Sequence, residues 1–172
     1  MCAGASAGVI RIRPANPDDA ERIAALATQL GYPSTPAQVA SRLERLLRDD
    51  EHAIFVAAQS ALVVGWVHVF EKHLLESEPE AEIGGLVVDE NHRRAGAGKL
   101  LMERAEEWAR SRGLKSVYLR SNVIRKEAHA FYEKLGYHVS QNPDGVSQDV
   151  VIAARPKQSA YSRRSCRSGS VL

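Results

Sequence analysis

The segment that most restricts this chain is GLVVDENHRRAGAGKLLMERAEEW, residues 85 to 108, where an apolar strand runs through a short polar turn and two closely spaced glycines into an amphipathic helix. Backbone N–H groups at a helix N-terminus have no helical acceptor, and the helix dipole favours negative charge there. Such a loop is therefore an anion site, with phosphate its natural ligand. Two phosphate loops are excluded by the letters. The Walker pattern needs a glycine four intervening residues before its Gly-Lys pair and Ser or Thr after it; here Arg93 and Leu100 occupy those places. The dinucleotide fingerprint needs a third glycine where this chain has Leu101.

The surroundings of the loop read as alternating strands and helices. VIRIR, residues 9 to 13, has strand periodicity. Asn16, Pro17 and Asp19 start a helix that ends at Gly31, and Thr35-Pro36 starts another through Val39, Leu43, Leu46 and Leu47. AIFVAA and LVVGWVHVF predict an antiparallel hairpin, followed by LESEPEAE as a polar acidic loop. EIGGLVVD is a strand, and residues 97 to 113 a helix with Leu100, Leu101, Ala105, Trp108 and Ala109 on one face. KSVYLRS is a strand, residues 126 to 135 a helix stopped by Gly136, and YHVSQ with QDVVIAAR a final strand pair. The order β-α-α-β-β-β-α-β-α-β-β predicts an α/β (α+β) fold: a single-domain, mixed, mostly antiparallel sheet with helices on both faces.

Charge narrows the partners. Of 23 basic residues, Arg155, Lys157, Arg163, Arg164 and Arg167 crowd the last 18 positions without an acid, so the rest sets 18 basic against 21 acidic residues, about −3. That is no nucleic-acid surface. Residues 157–172 read as a disordered basic Ser/Arg-rich tail and 1–156 as the folded domain. Residues 53 to 70 are apolar but broken by Gln59, Ser60, Gly65 and His68, so no membrane span is expected. No secretory signal is read at the N-terminus, and the expectation is a cytoplasmic protein. Cys2 and Cys166 lack partners at metal-ligand spacing, so no metal site is expected.

The loop Arg93-x-x-Gly96-x-Gly98, set between strand and helix, resembles the acetyl-CoA pyrophosphate loop of the GCN5-related N-acetyltransferase family. About thirty residues on, AHAFYEKLGY, Ala128 to Tyr137, is similar to that family's second signature. The element order resembles the family's over residues 9 to 154. Three positions depart from it: the family usually has Gly where this chain has Arg94 and a basic residue at Ala95, and commonly Asn where this chain has Arg125. SNVIRKEAHAFY resembles a subset that acts on small amines, including aminoalkylphosphonate and aminoglycoside acetyltransferases.

The resemblance implies the chemistry. Acetyl-CoA is the cosubstrate, its pyrophosphate held by the amides of Arg94, Ala95, Gly96, Ala97, Gly98 and Lys99, with Arg93 or Arg94 adding charge. The glycine pair Gly84-Gly85 inside a strand marks a bulge or a close backbone approach. In the family this strand is bulged and splays from its neighbour, so that a freed amide among Leu86, Val87 and Val88 faces the thioester oxygen. Tyr132 is implied as the general acid for the departing thiolate. Glu82 is the candidate base, with Glu80 and Asp89 as neighbouring alternatives. Asn122 is a candidate hydrogen-bonder to CoA or acceptor. His68 and His73 line an acceptor pocket, hold a divalent ion with Glu82, or are plain hairpin residues; His129 contacts the acceptor or packs. Trp66 and Trp108 read as core. The cysteines are badly placed for an acyl-enzyme, so attack is direct in a ternary complex. The expected acceptor is a small-molecule amine; a homodimer is compatible with the chain. The rival readings are a protein or peptide N-acetyltransferase and a non-catalytic CoA-binding sensor.

Overall fold

A computed structural model describes residues 8–122, 126–141 and 149–154. The chain runs β1 (Ile10–Pro14), α1 (Ala20–Leu30), α2 (Pro36–Leu46), β2 (His52–Gln59), β3 (Leu62–Leu74), β4 (Ser77–Val88), α3 (Ala97–Ser111), β5 (Val117–Asn122), α4 (Lys126–Lys134), β6 (His138–Gln141) and β7 (Asp149–Ala154). Short 3-10 turns precede α1 (Pro17–Asp19) and follow β4 (Glu90–His92). This is the expected order, and the α/β fold with a mostly antiparallel sheet and helices on both faces is as expected. Residues 157–172, the expected tail, and the turn at 142–145 lie outside the described residues.

Local chemistry sets the first two helices. Asn16 and Asp19 cap each other reciprocally, as do Thr35 and Gln38, with Pro17 and Pro36 directly after the first residue of each pair. Gly31 ends α1 with φ +97°, a conformation that disfavours a Cβ.

The seven strands form one sheet in the order β1-β2-β3-β4-β5-β7-β6. Every pairing is antiparallel except β4 with β5. One face carries α1 and α2 over Ile54, Val56, Val63 and Val87. The other carries α3 and α4 over Phe55, Val67, Val69, Ile83, Val117 and Leu119. The strands' period of two supplies both apolar faces from single strands.

Two expectations are corrected. The acidic stretch LESEPEAE is not a loop: β3 reaches Leu74 and β4 begins at Ser77, so only Leu75 and Glu76 turn. Its acids alternate with Pro79, Ala81 and Ile83, a strand period that composition disguised, and Glu80 accepts from the Ser116 hydroxyl at 2.6 Å. In α3, Leu100 is 37% exposed, whereas Met102 is fully buried. The inward face is Ala97, Leu101, Met102, Ala105, Glu106 and Ala109, whose alanines let the helix approach the sheet closely. Trp108 packs at the margin of this core with the Arg112 guanidinium over its ring.

Candidate active site

The site grows from the middle of β4. Register along β3 runs Gly65↔Val88 to His68↔Gly85 and then Val69↔Ile83, leaving Gly84 as the extra residue of a bulge. A Cβ on Gly84 would lie 2.9 Å from His68 Nδ1, and one on Gly85 would lie 2.9 Å from the Trp66 ring. The two glycines are thus demanded by the side chains of β3.

The same point ends the pairing on the other edge. β4 and β5 pair only from Ala81↔Val117 to Ile83↔Leu119, while β5 continues beside β7 as far as Asn122. Beyond Ile83 the strands part, giving the splayed central pair. Asp89 donates its N–H to the Val64 carbonyl at 2.8 Å. Antiparallel alternation then directs the Val87 amide to β3 and those of Leu86 and Val88 into the opening. Asn122 ends β5, in register with Asp149.

The glycine loop lies at the far end of this opening. Gly96 is the N-cap of α3 with φ +90°, and no side chain caps the helix. The helical ladder begins with Leu100 N–H to the Gly96 carbonyl at 3.1 Å, so the amides of Ala97, Gly98 and Lys99 have no helical acceptor. Arg94 holds φ +66°, where glycine would be unstrained. This explains physically why a family pattern with glycine at that place suits the turn. Arg93, Arg94 and Ala95 are exposed. Lys99 lies 3.7 Å from Glu103. Among the described residues neither Arg93 nor Arg94 makes an ion pair. An uncapped helix start with two free arginines and an open strand edge leading to it fits a pyrophosphate with an extended arm.

Gly98 joins the two signatures of the sequence. A Cβ there would lie 3.1 Å from the Phe131 ring, so the missing side chain lets α4 pack against the start of α3. The next residue, Tyr132, is buried and edge-on to Phe131 and Tyr137, with ring centroids 5.1 and 6.0 Å away. Tyr137 donates to the buried Glu106 carboxylate at 3.0 Å. Burial, then Glu106, drives the Tyr137 phenol far above its ordinary range. His129 shares the helix; among the described residues its buried Nε2 has no hydrogen-bond partner.

The candidate carboxylates separate clearly. Glu82 sits in the last parallel pairing, 15% exposed, and accepts the Tyr118 hydroxyl; Lys72 Nζ is 3.6 Å and Arg120 Nε 3.8 Å away. Burial, then the Glu82 hydrogen bond, raises the Tyr118 phenol well above its usual range. Asp89 is buried by comparison. Burial pushes its carboxyl up, but the Asn91 amide and the Arg22 guanidinium outweigh this and hold it below the ordinary carboxylate range. Glu80 is bonded to Ser116.

On the α1/α2 face a cavity of about 370 Å³ reaches Gly84, walled by Leu30, Leu43, Leu46 and Ile54 and by Trp66 and His68. Arg42, hydrogen-bonded to Ser34 at 3.0 Å, contributes its charge to the lining. Trp66 therefore lines a cavity besides packing on the core. His68 stacks on His52, with His68 Nε2 2.9 Å from His52 Nδ1. Burial, then the neighbouring His52, lowers the His68 pKa to about 4. His73 lies instead at the exposed end of β3, 3.3 Å from Glu71 and 3.7 Å from Glu51. Among the described residues no group of three His, Cys, Asp or Glu side chains is arranged to hold a metal ion. No helix there is long and apolar enough to cross a membrane. Arg22, Tyr118 and His52 were not legible as site residues: each is ordinary in its own segment and acquires its role from a partner strands away.

The acetyltransferase (GNAT) family profile matches residues 18–137. Two uncharacterized N-acetyltransferases are similar in sequence. YhdJ of Bacillus subtilis (strain 168) is 29% identical over 99 residues, 57% of this chain and 70% of that protein. MJ1207 of Methanocaldococcus jannaschii is 34% identical over 94 residues, 54% of this chain and 42% of that protein, so the chain spans less than half of it. Among solved structures, Ard1 from Thermoplasma volcanium has a TM-score of 0.67 at 26% identity, over 87% of this chain and 99% of that one. The PaiA N-acetyltransferase of Thermoplasma acidophilum, solved with coenzyme A, shares the fold with a TM-score of 0.70 at 18% identity, over 86% and 99%. With the profile covering most of its length and both of its signatures set around one splayed strand pair, this chain belongs to the acetyltransferase (GNAT) family and is an acetyl-CoA-dependent N-acetyltransferase.

Proposed function

We propose that the chain acetylates the primary amine of a small molecule, by direct attack on acetyl-CoA in a ternary complex. The observation that supports this reading is the cavity of about 370 Å³ on the α1/α2 face, which ends at the bulged Gly84 where β4 and β5 part. A volume of that size holds a small molecule rather than a folded surface.

In this reading the amides of residues 94–99 bind the pyrophosphate, with charge from Arg93 or Arg94, and the arm runs along Leu86–Val88. The outward amides of Leu86 and Val88 stabilise the oxyanion formed on attack, a contribution on the order of 3 kcal/mol for each donor. Tyr132 protonates the departing thiolate. Asn122, at the end of β5, hydrogen-bonds CoA or the acceptor. Glu82 is the carboxylate that draws a cationic amine towards the splay and is a candidate acceptor of its proton.

The test is thiol release from acetyl-CoA with a panel of 2-phenylethylamine, aminoethylphosphonate, glucosamine, spermidine and a peptide with a free N-terminus. Turnover of a small amine above the peptide supports the reading. Turnover of the peptide alone would replace it by peptide acetylation. Tyr132→Phe and Glu82→Gln variants that keep all wild-type properties would favour a CoA sensor.

A further inference from the structure

Two histidines behind Gly84 lead from the cavity towards the half-exposed Asp49. His68 lines the cavity with Nδ1 directed at the bulge, since a Cβ on Gly84 would lie 2.9 Å from that nitrogen. Its other nitrogen, Nε2, is hydrogen-bonded to His52 Nδ1 at 2.9 Å. The remaining nitrogen, His52 Nε2, is 3.8 Å from the Asp49 carboxylate, which is half exposed. Phe70 stacks against His52 and tilts against His68, holding both rings. One hydrogen-bonding contact thus joins the two rings, and the outer ring nitrogen lies at ion-pair distance from Asp49.

Resting on the small-amine reading above, we propose that His68, His52 and Asp49 form a proton relay that takes the proton from the acceptor's ammonium group to solvent, with His68 as the group that meets the substrate. The ammonium N–H bond breaks and an Nδ1–H bond forms on His68. The Nε2 proton of His68 passes to Nδ1 of His52, and the Nε2 proton of His52 leaves towards Asp49 and water. The nitrogen keeps the electron pair with which it attacks the thioester. No electrons change owner, and the single proton exported equals the one released per acetylation of an ammonium ion. Exchange with water in the cavity then restores the starting tautomers.

Three observations favour His68 over Glu82 as first acceptor. Glu82 already accepts the Tyr118 hydroxyl and lies near both Lys72 and Arg120. His68 is held neutral at physiological pH by burial and by His52, so it is free to accept. Its placement is the third: Nδ1 faces the bulge at the cavity wall while Nε2 already has a ring nitrogen beside it to take its proton. The charged and titratable groups around it are His52 and Asp49 on the β2 side and Lys72 on β3. Glu82 on β4, Tyr118 on β5 and, across the cavity, Arg42 and Tyr32 complete the set.

The experiment is the pH dependence of kcat between pH 6 and 10 for wild type, His68→Gln and His52→Gln, with acetyl-CoA and the most active amine of the panel. His68→Gln should lose about 100-fold at pH 7 and recover most of it near pH 10, where the amine is already free; His52→Gln should lose about 10-fold with the same recovery. KM for acetyl-CoA should stay near wild type. If His68→Gln folds poorly, His68→Ala with imidazole added is the second arm, and rescue of turnover at pH 7 is expected. Parallel profiles, equal loss at every pH or absence of rescue would overturn the relay while leaving the small-amine reading intact. A wild-type protein inert towards every small amine would overturn that reading and the relay with it.

Discussion

Arg22 of α1 donates to the carboxylate of Asp89, the residue at which β4 gives way to the glycine loop, and its Nε also donates to the Val63 carbonyl at 2.8 Å. The first helix, which walls the cavity, is thereby fastened to the backbone that leads into the CoA loop. Asp89 is 4% exposed, so removing the cation strands a buried charge. Arg22→Ala should cost about 3 kcal/mol in chemical denaturation and weaken CoA binding.

The same pair fixes a pH dependence. The folded Asp89 carboxyl lies below its unfolded value, so its contribution is present above the ordinary carboxylate pKa of about 4 and is lost as pH falls through the folded value. Asp19 behaves alike: burial raises its carboxyl, but the bidentate Arg13, at 2.7 Å on both oxygens, and the Asn16 amide bring it lower. Unfolding free energy should therefore drop steeply below about pH 4, and Asp89→Asn should flatten that limb. Superimposable acid limbs would exclude Asp89 as their source.

Gly98 is tested by its neighbour as well as by its amide. Gly98→Asp puts a carboxylate at the anion site and a Cβ 3.1 Å from Phe131. CoA affinity by calorimetry should fall below detection while far-UV circular dichroism stays native. Unchanged affinity would end the loop's assignment.

Arg94→Gly relieves the left-handed backbone at φ +66° but removes a cation from the loop. Stability should rise by about 1 kcal/mol, and CoA should bind less tightly. A destabilised variant would contradict the backbone argument.

Tyr132→Phe keeps the ring contacts with Phe131 and Tyr137. Steady-state kinetics should show kcat down by roughly 100- to 10,000-fold with CoA affinity nearly unchanged. Full activity would move the acid to another group.

Deletion after Lys157 tests the reading of the basic Ser/Arg-rich C-terminal stretch as a disordered tail. Melting temperature and turnover should both stay near wild type, and a large fall in either would show that the tail docks.

What the sequence determined by itself was local. The helix starts at Asn16-Pro17 and Thr35-Pro36, the stop at Gly31, the signal of Gly84-Gly85 and the glycine loop at Gly96 each depend on residues close together in the chain, and each reads as letters. The acidic start of β4 reads as a loop because its charge masks its alternation, and Leu100 reads as inward because a helical stripe has no visible phase until a sheet lies against it. Only the tertiary structure decided which partners meet. Arg22 and Asp89 are 67 residues apart, Glu82 and Tyr118 are 36, and His52 and His68 are joined through hairpin register across 16. A side chain's charge and hydrogen-bonding capacity belong to the residue, but what it faces is set by strand register and by the core that fixes it, and one step of register turns every side chain to the opposite face.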